Sequence, residues 1–146
     1  MIQLQEQCII LELEATNKEA VLLELAASVH CSCPSISIDT INAILTEREQ
    51  LGSTGVGNGV AIPHGKIPGL EQSLLCFGRS RVGIGFESMD RRPVHLFVLI
   101  LSPVDLAEDY LKTLARVSRL LKKEKTRNKL MQADSPQTIV KLFAIK

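Results

Sequence analysis

Residues 46–66 read TEREQLGSTGVGNGVAIPHGK, and this stretch decides how the chain is interpreted. Six of the nine glycines lie between positions 52 and 69, so the backbone has unusual conformational freedom there. The short apolar run at 60–62 predicts a strand. Pro63 ends that strand and restricts Ile62 to an extended conformation. The stretch therefore predicts a glycine-rich loop followed by a short strand with His64 at its end.

The loop matches neither of the two common nucleotide-binding motifs. A P-loop would close with Gly-Lys-Ser or Gly-Lys-Thr, and no such triplet occurs here. A dinucleotide fingerprint has a strand before it and a helix after it, whereas here a predicted helix precedes the loop and a strand follows it. An unrelated nucleotide-binding enzyme is therefore the least favoured function.

A second stretch, residues 94–101 (VHLFVLIL), is a long apolar run rich in β-forming residues and is typical of a strand covered on both faces. Extended segments are also expected at 8–13 and 74–78, with an edge or turn at 82–86. Helices are expected from a cap at Thr16, from Ser37 to about Gln50, from a cap at Asp105 to about Lys122, over 124–133, and from Pro136. Because predicted helices lie on both sides of the strands in sequence order, the pattern favours an α/β domain with helices on both faces of a sheet.

Composition limits the class of protein. The 146 residues suit one domain, and with only 3% aromatic residues the core is expected to be aliphatic. The formal net charge is +1, so no global field favours nucleic acid or anionic lipid as a partner. No apolar run is long enough for a transmembrane helix, and the first residues lack the pattern of a secretory signal. We expect neither membrane insertion nor direct binding of nucleic acid.

Residues 111–130 contain eight basic side chains, with Glu124 as the one acidic residue among them. In the predicted helix, Lys112, Arg116, Arg119 and Lys123 share one side. This side is either a solvated helix face or a docking surface for an acidic or phosphorylated partner.

The four cysteines favour reduced thiols in the cytoplasm. Cys31 and Cys33 follow His30, but their spacing is too tight for a usual zinc site and no second pair of ligands follows. His30 is interpreted as a helix-end residue, and His95 is placed at the start of the long strand without an assigned role. We expect no metal ion and no organic cofactor.

His64 is the residue most suited to chemistry. A neutral imidazole is a nucleophile near pH 7, since its ordinary pKa is about 6.5. Phosphoryl transfer mainly requires positioning and charge stabilisation, which loop amides, the hydroxyls of Ser53 and Thr54, and the cation of Arg48 would supply. The alternative is a long turn that carries a surface histidine, and spacing alone does not decide between the two.

The block from Arg48 to Lys66 resembles the active-site block of the fructose/mannitol-type IIA domains of the phosphoenolpyruvate-dependent phosphotransferase system. The nitrogen-regulatory branch of that family is the most similar. Residues 93–103 resemble the central strand of the family, and residues 111–121 resemble the helix that follows it. The resemblance implies a single domain over residues 1–146, a mixed five-stranded sheet between helices, and a histidine that is phosphorylated by HPr or its nitrogen-branch counterpart.

The resemblance also implies roles for individual residues. His64 matches the phosphoryl acceptor, and Arg48 matches the arginine beside it. Binding of the phosphoryl group is expected from Ser53, Thr54, Asn58, Gly59 and Gly65. Tyr110 falls where the family usually has a second histidine near the acceptor. A phenol donates hydrogen bonds but does not become a cation at neutral pH, so this position departs from the family.

Three functions remain open within this resemblance. The protein is a regulatory IIA protein whose phosphorylation controls target proteins, a sugar-transport IIA component that passes phosphate to a IIB cysteine, or a binding module that has lost phosphotransfer.

Overall fold

The computed structural model describes residues 4–144 of the chain. The described residues form the helices α1 (Lys18–His30), α2 (Ile38–Gln50), α3 (Ala107–Lys122), α4 (Glu124–Gln132) and α5 (Pro136–Ala144). They also form the strands β1 (Ile9–Ile10), β2 (Gly55–Gly57), β3 (Val60–Ala61), β4 (His64–Ile67), β5 (Leu74–Ile84) and β6 (Val94–Pro103). A short 3-10 helix at Glu6–Cys8 precedes β1.

The apolar run predicted to be a covered strand is β6, which lies at the centre of the sheet and is buried at every residue except His95. β5 pairs with it in antiparallel fashion on one edge, while β3 and β4 pair in parallel on the other. β1 extends the sheet beyond β5, and β2 extends it beyond β3. β3 and β4 lie one after the other along β6 and are separated at Pro63. The segments therefore fill five positions across a mixed sheet, as the resemblance implied.

Helices cover both faces of the sheet, as Phe77 and Gly78 of β5 show. Successive residues of a strand point to opposite faces. The Phe77 ring packs edge-on against Phe143 of α5, with 5.8 Å between the ring centroids. Gly78 faces α1, because a Cβ placed there would lie 3.1 Å from Leu25. α2 packs against α1, and α4 packs against both α3 and α5. The predicted α/β layering is confirmed.

The observed start of α2 agrees with the predicted start, and that of α1 does not. Ser37 caps α2 as predicted. α1 was expected to be capped by Thr16, but its N-cap is Asn17, whose side-chain oxygen accepts a hydrogen bond from the Ala20 N–H at 2.8 Å. Asparagine is at least as good a cap as threonine, so neighbouring candidates compete and the tertiary structure selects one of them.

α3 departs from the prediction at its start and along its apolar side. It begins at Ala107 without a side-chain cap, so Asp105 is not its N-cap. Val117 and Leu121 are buried, whereas Leu111, which helical spacing places on the side of Leu114 and Leu121, is 61% exposed. The N-terminal half of α3 therefore contributes little to the core.

Residues 82–86 do not form the predicted edge or turn. β5 continues to Ile84, and its pairing with β6 shifts register between Arg79 and Ile84. Gly83 lies inside this irregularity with a φ of +94°, and a Cβ there would lie 2.9 Å from the His95 ring. The glycine that suggested a break instead permits a bulge within a long strand.

Candidate functional site

His64 is the first residue of β4 and follows the break in the strand at Pro63. The parallel register places it opposite Ile100 of β6. The Pro63 carbonyl accepts a hydrogen bond from the Ile100 N–H at 2.9 Å. Proline has no N–H for the ladder, so pairing is interrupted there and resumes with the histidine. His64 is half-buried and lies between side chains from α2 and α3.

The imidazole of His64 is held in one tautomer. Its Nδ1 lies 2.8 Å from the Ile62 carbonyl oxygen. A carbonyl oxygen only accepts hydrogen bonds, so Nδ1 carries the proton and donates it. The lone pair of the neutral ring is then on Nε2, toward which Arg48 Nε donates at 3.3 Å. Nε2 is therefore the nucleophilic atom of this ring.

Burial lowers the pKa of His64, because a half-buried imidazolium loses hydration. The hydrogen bond to the Ile62 carbonyl acts in the opposite direction. The positive charge of Arg48 lowers the pKa further, and the negative charge of Glu49 raises it. The net pKa lies below the ordinary value, so the ring is neutral at pH 7 and its lone pair is available.

Arg48 connects the histidine to the glycine-rich loop. It lies in the last turn of α2, and its Nη1 donates to the Gly52 carbonyl at 2.8 Å. One planar guanidinium thus contacts both His64 and the start of the loop. Its remaining N–H donors suit an anionic group at the same place.

Tyr110 and Lys66 complete the surroundings of the imidazole. The Tyr110 ring centroid lies 5.7 Å from that of His64, with 51° between the ring planes. Burial raises the pKa of Tyr110 and the charge of Arg48 only partly opposes this, so the phenol stays protonated and can donate a hydrogen bond. Lys66 Nζ lies 5.9 Å from the Tyr110 centroid. The structure thus brings the three residues predicted as catalytic into one cluster and adds a lysine to it.

Glu49 holds the loop in place, although it was not among the predicted site residues. Its side chain is 4% exposed. Its Oε1 accepts hydrogen bonds from the Thr54 N–H at 3.0 Å and the Thr54 hydroxyl at 2.6 Å, and its Oε2 pairs with Lys18 Nζ at 2.8 Å. Burial raises the pKa of Glu49, but hydrogen bonds from Lys18, Thr54 and Ser53 outweigh it and leave the pKa below its ordinary value. A buried anion therefore fastens the loop to α1 and α2.

The helical pattern contained a signal for Glu49. It follows Ile41 and Leu45 at intervals of four residues, and all three are buried in α2. Helical periodicity therefore places a carboxylate on the buried face, where it needs charged or hydrogen-bonding partners.

The hydroxyls of Ser53 and Thr54 already have partners within the protein. Ser53 Oγ accepts a hydrogen bond from the Gly55 N–H at 3.0 Å. The Thr54 hydroxyl donates to Glu49 and the residue is 4% exposed. In the structure both side chains shape the loop, and their contact with a phosphoryl group stays a prediction.

Asn58 and Gly59 lie at a distance from His64 along the sheet. The Gly59 carbonyl accepts a hydrogen bond from the His95 N–H at 2.9 Å, whereas His64 pairs with Ile100. The strand from His95 to Ile100 spans about 16 Å, at roughly 3.3 Å per residue. The structure therefore does not bring these two predicted phosphate-binding residues together with the acceptor.

The turn at 88–92 holds the tip of the glycine-rich loop. Asp90 accepts hydrogen bonds from the Asn58 N–H at 3.2 Å, the Ser88 hydroxyl at 2.7 Å and the Arg92 N–H at 3.1 Å. Asn58 has a φ of +58°, which asparagine tolerates better than most residues. Asp90 therefore holds both its own turn and the tip of the loop.

Gly65 faces α2 and serves the packing of that helix. It is buried, and a Cβ there would lie 2.8 Å from Ile44 Cγ2. The missing side chain lets α2 approach β4, and this approach brings Arg48 to His64. Its expected part in binding the phosphoryl group stays a prediction.

The other two histidines contact backbone carbonyls. His30 Nδ1 lies 2.7 Å from the Ile36 oxygen, and His95 Nδ1 lies 2.9 Å from the Ser80 oxygen. Among residues 4–144, no group of three or more His, Cys, Asp or Glu side chains is placed to hold a metal ion. Within the same range, none of the helices has the length and apolar character needed to cross a membrane.

Residues 2–145 match the family model described as "Phosphoenolpyruvate-dependent sugar phosphotransferase system, EIIA 2". A nitrogen regulatory protein of Bradyrhizobium diazoefficiens is 40% identical over 139 residues, which is 95% of this chain and 90% of that protein. The fructose-specific EIIABC component of Bacillus subtilis is 32% identical over 140 residues, which is 96% of this chain but 22% of that protein.

Solved structures agree with these matches. The crystal structure of the nitrogen regulatory protein IIA-Ntr from Neisseria meningitidis has a TM-score of 0.90 at 31% identity, covering 96% of this chain and 95% of the other. IIA mannitol from Escherichia coli shares the fold, with a TM-score of 0.78 at 17% identity over 97% of this chain and 99% of the other. The resemblance read from the sequence is thereby confirmed. The chain belongs to the EIIA type-2 family of the phosphoenolpyruvate-dependent sugar phosphotransferase system, whose domains are phosphotransferases with a phosphohistidine intermediate.

Proposed function

We propose that this protein, as one domain over residues 1–146, is a regulatory phosphocarrier that accepts a phosphoryl group on Nε2 of His64. The donor is HPr or an HPr-like phosphocarrier of the nitrogen branch. The observation that carries the proposal is the held tautomer. The Ile62 carbonyl accepts the Nδ1 hydrogen at 2.8 Å, which leaves the lone pair on Nε2 beside Arg48.

The transfer exchanges one phosphorus–nitrogen bond for another. The Nε2 lone pair attacks phosphorus in line, and the bond from phosphorus to the donor imidazole breaks with its electron pair returning to the donor ring. His64 then carries the phosphoryl group on Nε2 and a proton on Nδ1, so its ring is positively charged. The Ile62 carbonyl stabilises that charge through the hydrogen bond it already makes. The exchange balances without a cofactor.

Three side chains offset the negative charge of the phosphoryl oxygens. Arg48 is a fixed cation whose orientation is set by the Gly52 carbonyl. Tyr110 supplies a neutral hydrogen-bond donor in the same cluster, and Lys66 adds a second cation beside the Tyr110 ring. Ser53, Thr54 and Gly65 support this arrangement by fixing the loop and the approach of α2.

Exposed apolar side chains near the cluster provide a docking surface for the donor. Leu51 is 82% exposed and directly follows α2, Val104 is 50% exposed and follows β6, and Leu111 is 61% exposed and follows Tyr110. A complex of IIA mannitol with phosphorylated IIB mannitol from Escherichia coli contains this fold, with a TM-score of 0.81 at 16% identity. That complex supports docking of a phosphorylated protein on such a domain.

The recurrence of nitrogen regulatory proteins among the relatives supports a regulatory role. The Bradyrhizobium nitrogen regulatory protein is 40% identical over 95% of this chain. The partners downstream are then regulatory target proteins, and the alternative is a IIB domain that receives the phosphate on cysteine. The four free thiols support a reducing compartment, and we propose the cytoplasm.

Incubation with phosphoenolpyruvate, enzyme I and HPr tests the acceptor, with wild type beside His64→Ala. We expect acid-labile phosphate on wild type only, and phosphorus–nitrogen coupling in NMR spectra that assigns the group to Nε2. Phosphate on the Nδ1 atom would contradict the tautomer argument. Failure of a cognate donor to label wild type would instead favour a binding module without phosphotransfer.

Partner binding tests the regulatory role. Pull-downs with wild type, His64→Ala and His64→Asp are expected to recover different sets of proteins. Identical sets from all three would count against control by phosphorylation. Rapid transfer of phosphate from wild type to a IIB cysteine, with formation of sugar phosphate, would favour the transport alternative.

A further inference from the structure

A groove separate from the His64 cluster lies between the β2–β3 hairpin and the C-terminal half of α3. Its volume is about 250 Å³. Val60 and Ile62 of the hairpin segment and Leu121 of α3 form its apolar floor, and Val56, which is 53% exposed, stands at its edge. The groove is large enough to take one aliphatic side chain from another molecule.

The side of the rim formed by the end of α3 is positively charged. Lys122 lines it, and Lys123 and Lys125 follow on the exposed surface. Within residues 4–144, no carboxylate lies within ion-pair distance of these three lysines. Arg127 adds to the positive charge, because its Nη1 donates to the Leu121 and Lys122 carbonyls at the end of α3. Unpaired cations beside an apolar groove whose edge carries the exposed Val56 have complementary chemistry to carboxylates beside an aliphatic side chain.

The groove and the phosphoryl acceptor occupy different ends of α3. Tyr110 contacts His64 near the start of the helix, and Lys122 is its last residue. The helix between them is about 18 Å long, at roughly 1.5 Å per residue. The groove and the His64 cluster are therefore separate places on the surface, at opposite ends of α3.

We propose that this groove docks an acidic segment of a partner protein, which inserts one aliphatic side chain between the hairpin and α3 and places its carboxylates on the lysine rim. A purely ionic ligand fits the groove less well, since a phosphate backbone offers no aliphatic group to lie against the exposed Val56. The concave shape favours an inserted side chain over a flat lipid surface. The proposal goes beyond the phosphocarrier function and does not depend on it.

A short synthetic peptide of glutamate and glycine with one central leucine is the probe, titrated into the full-length ¹⁵N-labelled chain. We expect amide shifts confined to residues 56–62 and 118–125. Lys122→Glu is expected to weaken binding about tenfold through charge reversal at the rim. Ser118→Trp should abolish insertion by filling the groove without changing the charge. The matched control is Lys141→Glu, which makes the same charge change on the exposed face of α5.

Four outcomes would overturn the proposal. They are an equal loss of affinity with Lys141→Glu, unchanged affinity when the leucine of the peptide is replaced by alanine, shifts centred on residue 64, and anionic vesicles that bind as tightly as the peptide. Phosphorylation of Lys122→Glu by the donor system is measured in parallel. If that variant is phosphorylated normally, its weaker peptide binding reflects a change in the groove and not a change in the chemistry at His64.

Discussion

His64 and His95 are held in the same way but differ in what their second nitrogen faces. In each ring Nδ1 contacts a backbone carbonyl, at 2.8 Å from Ile62 for His64 and at 2.9 Å from Ser80 for His95. Each side chain is half-buried. The backbone therefore offers both imidazoles the same anchor.

The opposite side of the two rings differs. Nε2 of His64 faces the guanidinium of Arg48. Nε2 of His95 instead faces the backbone of Gly83, where a Cβ atom would lie only 3.2 Å from it. Gly59 closes another side of the His95 ring. The held tautomer is thus common to both rings, and the group that faces the second nitrogen distinguishes them.

The largest effect expected from this comparison is on phosphate incorporation. His64→Ala should lose all acid-labile phosphate. His95→Gln should be labelled to the wild-type stoichiometry, because His95 is not expected to contact the phosphoryl group. Radiolabel counting on both variants, with circular dichroism to check folding, measures the difference. Labelled His64→Ala, or a folded but unlabelled His95→Gln, would contradict it.

Arg48→Gln is expected to slow phosphorylation about 10²-fold, in the range found for loss of one charge-stabilising donor. It should also raise the pKa of His64, because the positive charge of Arg48 lowers that pKa. Rapid-quench kinetics and an NMR titration of the ring measure the two effects. Arg119→Gln, on the exposed side of α3, is the control and should change neither. An unchanged pKa of His64 would show that the charge of Arg48 does not act on the imidazole.

Glu49→Gln is expected to reduce the free energy of unfolding by about 3 kcal/mol, since it leaves the mostly buried ammonium of Lys18 with only the exposed carboxylate of Glu87, at 3.8 Å. Urea unfolding measures the loss, and adding Lys18→Met should recover part of it. The exposed pair of Glu108 and Lys112 is the matched control, because screening by water makes such a pair weak. Equal losses of unfolding free energy from Glu49→Gln and Lys112→Gln would show that the buried pair stabilises the protein no more than the exposed one.

Tyr110→Phe is expected to slow transfer about fivefold, which corresponds to one hydrogen bond of roughly 1 kcal/mol. Stability should hardly change, because the ring still packs beside His64. The measurement is the single-turnover rate at several pH values. Leu111→Ala is measured beside it, because it changes the proposed docking surface next to Tyr110 without removing a hydrogen bond. A rate equal to wild type at saturating donor would assign the phenol to packing alone.

The smallest expected effect is on the pH dependence of stability. The pKa of His64 is lowered in the folded protein, so below about pH 6.5 the unfolded chain binds a proton at this residue before the folded chain does. The contribution of His64 is therefore present above that pH and is lost as the pH falls toward the folded pKa. His64→Gln should show a shallower decline in unfolding free energy over the same interval. An identical decline would mean that other groups cause it.

The parts of the fold that the sequence predicted well depend on local pattern. β6 is an uninterrupted run of apolar β-formers, and α2 has one strong cap at Ser37. Local pattern failed where the outcome depends on distant residues. Gly83 suggested a break, but the neighbouring strand and the His95 ring turn it into a bulge. The cap of α1 moved from Thr16 to Asn17, since both residues are competent caps.

The candidate site shows the same division. The loop motif and the resemblance indicated His64, Arg48 and Tyr110, and the structure brings them together. The resemblance also indicated Asn58, whose segment the parallel register places farther along β6 from His64. Residues of the loop are close neighbours in sequence, yet the register of the sheet decides which of them meet.

The register of β4 with β6 also determines when the site around His64 forms during synthesis of the chain. His64 pairs with Ile100, and its ring is flanked by Arg48 and Tyr110, so the site combines segments that are far apart in the chain. Contacts between such distant segments form only after the loop between them has closed. Before that, His64 is a solvated imidazole whose tautomer is not set by the Ile62 carbonyl. Under the proposed function, a donor that requires the lone pair on Nε2 phosphorylates only folded molecules, so the amount of protein-bound phosphate reports the amount of folded protein.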